Sequence, residues 1–226
     1  MKLPIRLATI LLIAFARCET AHADAATLAS DPESNPVPDD TRDFIKRLDI
    51  ASGKARDADL ARHGDPAAVE RIRKDAEAGD ADGQFYLALL HKDGKGVAQD
   101  DVQYASWLRK AAEQDHVGAQ VRLIGLYEKG RGVPRNLGSA AGWARRAAEN
   151  GDTTGQGELV LFYYYGRGVE KDYVQAVKWL TVAKASGRFN DSEQFFEQIR
   201  KRATPAQVAE GETLAHEWLE EHRPKN

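Results

Sequence analysis

A Gly-x-Gly-Val pattern recurs three times at a fixed spacing of 36 residues, as Gly94-Lys95-Gly96-Val97, Gly130-Arg131-Gly132-Val133 and Gly166-Arg167-Gly168-Val169. Gln84, Gln120 and Gln156 keep the same step, and so do Trp107, Trp143 and Trp179. A fixed period of about 20–50 residues marks a repeat architecture, in which each unit buries its apolar face only against its neighbours. Stacked repeats present extended binding surfaces rather than enclosed reaction chambers, so the period constrains the function as well as the fold.

Each repeat reads as two helices. Asp80, the segment 115–117 and Asp152 precede the first helix, here helix A. Gly94, Gly130 and Gly166 suit the residue just past its end, because glycine reaches positive φ without a Cβ penalty. The second glycine of each turn permits close backbone approach, and Val97, Val133 or Val169 can tuck beneath it. Asp100, Asn136 and Asp172 are predicted caps of the second helix, helix B. Trp107, Trp143 and Trp179 on helix B are followed by Ala111-Ala112, Ala147-Ala148 and Ala183. A large residue set against small ones lets antiparallel helices approach closely, so the three tryptophans are expected in the core.

The two ends read differently. Residues 1–23 resemble a secretory signal: Lys2 and Arg6, an apolar run from Leu7 to Ala16, then Ala21-His22-Ala23 as a small-x-small cleavage site. A run of ten residues covers only about 15 Å as helix, half of a bilayer core of roughly 30 Å, which argues against a spanning segment. Cys18 is the only cysteine, and Arg17 stands where a lipoprotein signal needs a small residue, which argues against lipidation. Cleavage after Ala23 leaves a mature chain without cysteine, periplasmic or secreted. Residues 24–40, with three prolines, read as a flexible spacer, and 41–79 as N-terminal helices that include a degenerate opening repeat begun by Asp65-Pro66. The regular repeats are placed at 80–114, 115–150 and 151–187. Residues 188–226 are predicted capping helices, with Phe195, Phe196 and Ile199 in the first. The second starts at Thr204-Pro205 and carries a stripe of Val208, Leu214, Ala215, Trp218 and Leu219.

Ala/Gly-Gln-x-x-Leu, then Gly-x-Gly-Val, then a capped helix with Trp and Ala-Ala resembles the Sel1-like repeat, a relative of the tetratricopeptide repeat. The likeness covers roughly Pro66 to Gly187. It departs at Ala88, Ile124 and Val160, where that repeat has glycine, and at His91, where it has tyrosine. His91 is expected to be buried or half-buried and hydrogen-bonded to a neighbour. The resemblance implies an all-α, right-handed α/α superhelix, or solenoid, that acts as an adaptor in an exported bacterial protein. Some cysteine-rich members are described as penicillin-binding or β-lactamase proteins, but this chain lacks their cysteine pairs.

Chemistry is hard to place on this sequence. Lys and Arg number 32 against 35 Asp and Glu, a net charge of -3, and no basic block supports nucleic-acid binding. Ser-x-x-Lys, Lys-Thr-Gly and Gly-x-Ser-x-Gly are all missing. His216-Glu217 and His222 stand six apart, not the four that a zinc-protease helix needs. No catalytic, cofactor or metal residue is selected. A binding face is: Asp82, Phe85, Leu89 and Asp93 share one side of the first helix A, opposite Leu87 and His91. In tetratricopeptide-like stacking that side lines the concave groove. Phe85, Leu89, Val121, Lys129, Leu161, Tyr164 and Tyr165 are therefore the candidate protein-binding residues. The expectation is a non-catalytic, exported scaffold for a protein or peptide segment in the cell envelope. A cell-wall-active or β-lactamase-like hydrolase and a secreted effector or immunity-type protein are the alternatives.

Overall fold

Aspartates and glycines at repeated positions cut the chain into helices of uniform length. The computed structural model describes residues 53–186 and 192–223, all within one compact unit, Ile50–Asn226. The signal-like segment with Cys18, the spacer and residues 41–52 lie outside the described residues. Residues 53–62 form α1. There follow α2 (Pro66–Glu77), α3 (Ala81–Asp93), α4 (Asp101–Glu113), α5 (Val117–Lys129), α6 (Leu137–Glu149), α7 (Thr153–Tyr165), α8 (Tyr173–Ala185), α9 (Ser192–Arg200) and α10 (Pro205–Glu221). The described residues contain no strand. From α2 to α8 each helix packs on the next in sequence, and α10 closes on α8. The result is an all-α, right-handed α/α solenoid with three regular pairs, α3–α4, α5–α6 and α7–α8.

Side chains at the caps explain where the helices start. The Asp80 and Asp152 carboxylates accept from the Gly83 and Gly155 N–H groups, and Asp100, Asn136 and Asp172 cap the second helix of each pair. Each such cap contributes about 1 kcal/mol. In the middle repeat the capping residue of the segment 115–117 is His116, not an acid. Gly94, Gly130 and Gly166 end the first helices in the left-handed conformation, φ 66°, 71° and 68°. The second glycine has a longer reach. Gly132 lies so close to the start of α4 that a Cβ there would sit 1.9 Å from the Asp101 carbonyl oxygen. Gly168 presses on Leu137 of α6 in the same way. The turn is therefore a joint onto the preceding repeat as well as a helix stop.

Gln84, Gln120 and Gln156 are buried, and two of them tie three helices together. Gln84 donates to the Ala76 carbonyl of α2 and accepts from Gln114 at the end of α4 (2.9 Å). Gln120 repeats this with Ala112 and Asn150. Satisfied buried amides of this kind hold register, because leaving one unpaired costs about 1–3 kcal/mol. The predicted alanines are fully buried, but the tryptophans divide. Trp107 and Trp143 are only half-buried, their rings covered by Lys110 (3.7 Å) and Arg146 (5.2 Å). Trp179 is buried because Trp218 of α10 packs edge-on against it. The first two still pack against the core, but part of each ring stays accessible. His91 is half-buried, and its Nδ1 donates to the Ala98 carbonyl (3.1 Å).

The closing helices follow their sequence signals. Phe196 and Ile199 of α9 are buried, and Thr204 with Gln207 forms a reciprocal capping box at the start of α10. Gly211 lets α10 approach α8: a Cβ there would meet the Val174 carbonyl oxygen at 2.6 Å.

Candidate partner-binding groove

Three first helices, α3, α5 and α7, carry the candidate residues, and the structure sorts them by exposure. Leu89 and Tyr164 are only 7% and 3% exposed and belong to the core, so neither is available to a partner. Tyr164 is enclosed by Tyr165, Tyr173 and Phe195, with Arg202 over its ring. Helical spacing missed this because α9, which supplies Phe195, lies outside the repeat pattern. Val121 and Leu161 are half-buried, Lys129 is exposed, and Tyr165 is 53% exposed. Phe85 is half-buried and stacks on the His116 ring at 4.3 Å, with Arg122 5.4 Å from its centroid. Part of its surface is therefore already engaged inside the protein.

Between Leu89 and Leu161 in repeat register stands Gly125, where an added Cβ would meet nothing within 4 Å. The middle of α5 thus leaves open space on this face, although a helix-interior glycine costs about 0.5–1 kcal/mol relative to alanine.

Charged groups border the face and were not singled out by pattern. Glu158 on α7 is half-buried; burial raises its carboxyl above the usual carboxylate range, the neighbouring Glu128 adds to this, and Arg167 opposes it. Arg167 donates to Glu128 (2.9 Å), whereas Arg131, at the same place one repeat earlier, pairs with Asp101 through both carboxylate oxygens. The repeat equivalent of Asp101 is Leu137, so Arg167 turns elsewhere. His116 is the other missed residue. Its signal was a histidine at the step occupied by Asp80 and Asp152.

On the opposite side of the first helices, Arg109 donates to the Tyr127 hydroxyl (3.0 Å) and Arg145 to that of Tyr163 (2.7 Å). Where His91 replaces the tyrosine, Arg73 pairs with Glu70 instead. A cleft of about 660 Å³ near Arg145, Lys171, Asp172 and Gln207 carries charges of both signs. His216 on α10 and His222 just past its end are exposed, and His222 stacks on Trp218. Among the described residues no group of three or more His, Cys, Asp or Glu could hold a metal ion.

The Sel1 repeat profile matches residues 81–116, 119–152 and 157–187. A crystal structure of a Sel1 repeat protein from Oxalobacter formigenes is 33% identical over 57% of this chain and 96% of that one, with a TM-score of 0.53. The chain belongs to the Sel1 repeat family. A protective antigen present in uropathogenic Escherichia coli strains, displaying an SLR fold, is 30% identical over 76% of this chain and 46% of its own length, with a TM-score of 0.44. Helicobacter pylori cysteine rich protein B is 24% identical over 57% of this chain and 92% of that one, also at 0.44. No curated protein matches the chain. Sel1 repeat proteins are generally non-catalytic protein-interaction scaffolds. No described helix of this member is long and apolar enough to cross a membrane.

Proposed function

We propose that this Sel1 repeat protein is an exported scaffold in the cell envelope that holds a peptide or protein segment along its first-helix face. The observation that carries the reading is Tyr165, a large aromatic left 53% exposed at the end of that face. It continues the half-buried Leu161 and Val121 and the open space at Gly125. Interfaces concentrate their energy in a few anchors, and tyrosine is among the residues enriched there. Mixed charges around the face, with Glu158, Glu128 and Lys129, would supply a polar rim. The signal-like residues 1–23 support export.

The test is capture of a partner from a cell-envelope extract, followed by calorimetry with the purified partner. Tyr165→Ala is expected to weaken binding at least about tenfold, or 1.4 kcal/mol, with the melting temperature nearly unchanged because the ring is half in solvent. Phe85→Ala is expected to lower binding and stability together, since its ring also supports His116. Full binding by Tyr165→Ala moves the site off this face. Hydrolysis of a muropeptide or a β-lactam by the purified chain would replace the scaffold reading with the enzyme.

A further inference from the structure

His116 fills a place held by aspartate in the repeats on either side, and does the same work with a different atom. The Ala119 N–H donates to its Nδ1 at 3.1 Å, as Gly83 and Gly155 N–H groups donate to Asp80 (2.7 Å) and Asp152 (2.8 Å). Only an unprotonated Nδ1 can accept this bond, so the capping ring is neutral and carries its proton on Nε2. That nitrogen lies 3.4 Å from Asp82 Oδ1 on α3. Stacking on Phe85 holds the ring between the two helices. The preceding residue is also changed. Asp115, at φ 61°, is the one non-glycine with positive φ among the described residues, and it stands where Gly79 and Gly151 stand in the neighbouring repeats. Its carboxylate accepts from Gln120 and Arg146, which fixes the strand of chain that presents His116.

We propose that His116 is a proton-operated clasp between the first two regular repeats: neutral, it caps α5; protonated, it releases α5 and pairs with Asp82. A second proton can go only onto Nδ1. There it converts the acceptor into a donor aimed at the Ala119 N–H, and it places a positive charge at the positive end of the α5 dipole. The same proton strengthens attraction to Asp82. Histidine is the side chain whose ordinary pKa permits this exchange between about pH 5 and 8.

The surrounding charges set the direction. Burial disfavours the charged ring; Asp82 and Asp80 favour it; Arg122 on α5 opposes it. Lys54 of α1 partly neutralises the acids, at 2.5 Å from Asp80 and 3.7 Å from Asp82, and Arg146 engages Asp115. Burial wins, and the imidazole is held below its ordinary value. The unfolded chain therefore takes up the proton first. The cap's contribution is full above the unfolded pKa, about 6.5, and is lost as the pH falls through the lower folded value. The helix loosened is α5, which carries Val121, Gly125 and Lys129, so acid would alter the candidate face at its centre. The clasp itself does not depend on what that face binds.

The test uses the whole chain and the variant His116→Asn, whose amide can cap without titrating. Imidazole nitrogen NMR at about pH 7.5 is expected to show the neutral form protonated at Nε2, titrating below about 6.5. Between those conditions and about pH 5, the urea midpoint of the natural chain should fall further than that of His116→Asn. The protection factor of the Ala119 amide, referred to the intrinsic rate at each pH, should fall at least about tenfold more in the natural chain, equal to 1.4 kcal/mol of lost protection. A neutral ring protonated at Nδ1 would overturn the proposal without reference to any variant. Identical pH dependence in the two chains would overturn it as well.

Discussion

A side chain at Gly132 would collide with the Asp101 carbonyl oxygen, whereas one at Gly142 on α6 would meet nothing within 4 Å. The two glycines therefore predict opposite outcomes. Gly132→Val combines a β-branched residue at φ 67° with that collision and is expected to cost about 2–6 kcal/mol, from roughly 1–3 of backbone strain and 1–3 of overpacking. Gly142→Ala, exposed and mid-helix, should stabilise by about 0.5–1 kcal/mol. Urea midpoints check both, and equal effects would refute the close approach. Trp143→Ala is expected to cost about 2–3 kcal/mol, below the 3–5 typical of a fully buried ring, because the indole is half-buried beneath Arg146. A loss above that range would mean that solvent does not reach the ring.

Helix ends and helix contacts carry the next level of stability. Caps were readable wherever the capping residue was Asp, Asn or Thr, because those side chains bond the free N–H groups of the first turn. His116 was less readable, since histidine caps only in one tautomer. The closing helix adds a test of its own. A side chain at Gly211 would run into Val174 and Val177 of α8, so Gly211→Val should lift α10 and uncover Trp179. Iodide quenching of tryptophan fluorescence should rise and stability fall by about 1–3 kcal/mol. Unchanged quenching would show that α10 docks by other contacts.

Contacts in this solenoid run between helices one or two apart in sequence, so strain at one end need not unfold the other. Gly96→Val, which crowds Val69 of α2, is expected to speed hydrogen exchange in α2 and α3 while α7 and α8 keep most of their protection. Uniform loss across all helices would show a single cooperative block instead. The proposed export gives a separate prediction. Intact mass of the exported chain should place its first residue at Asp24, after Ala21-His22-Ala23. A lipid-modified Cys18 at the new terminus would contradict it.

Local sequence pattern is enough to place the helix pairs, their stops and their family. These depend on local rules: a 36-residue step, glycine at left-handed turns and short polar caps. The same local reasoning selected a binding face by angle alone, and part of it was wrong. Leu89 and Tyr164 point to the chosen side yet are buried, because neighbouring repeats and α9 cover them. Trp107 and Trp143 share a repeat position with Trp179 yet stay half-exposed, because only Trp179 meets the closing helix. Which carboxylate Arg167 reaches, which ring His116 stacks on and which tyrosine stays exposed were decided by contacts between different helices. A period fixes what each residue can do within its own helix pair; exposure depends on what the next pair brings to it.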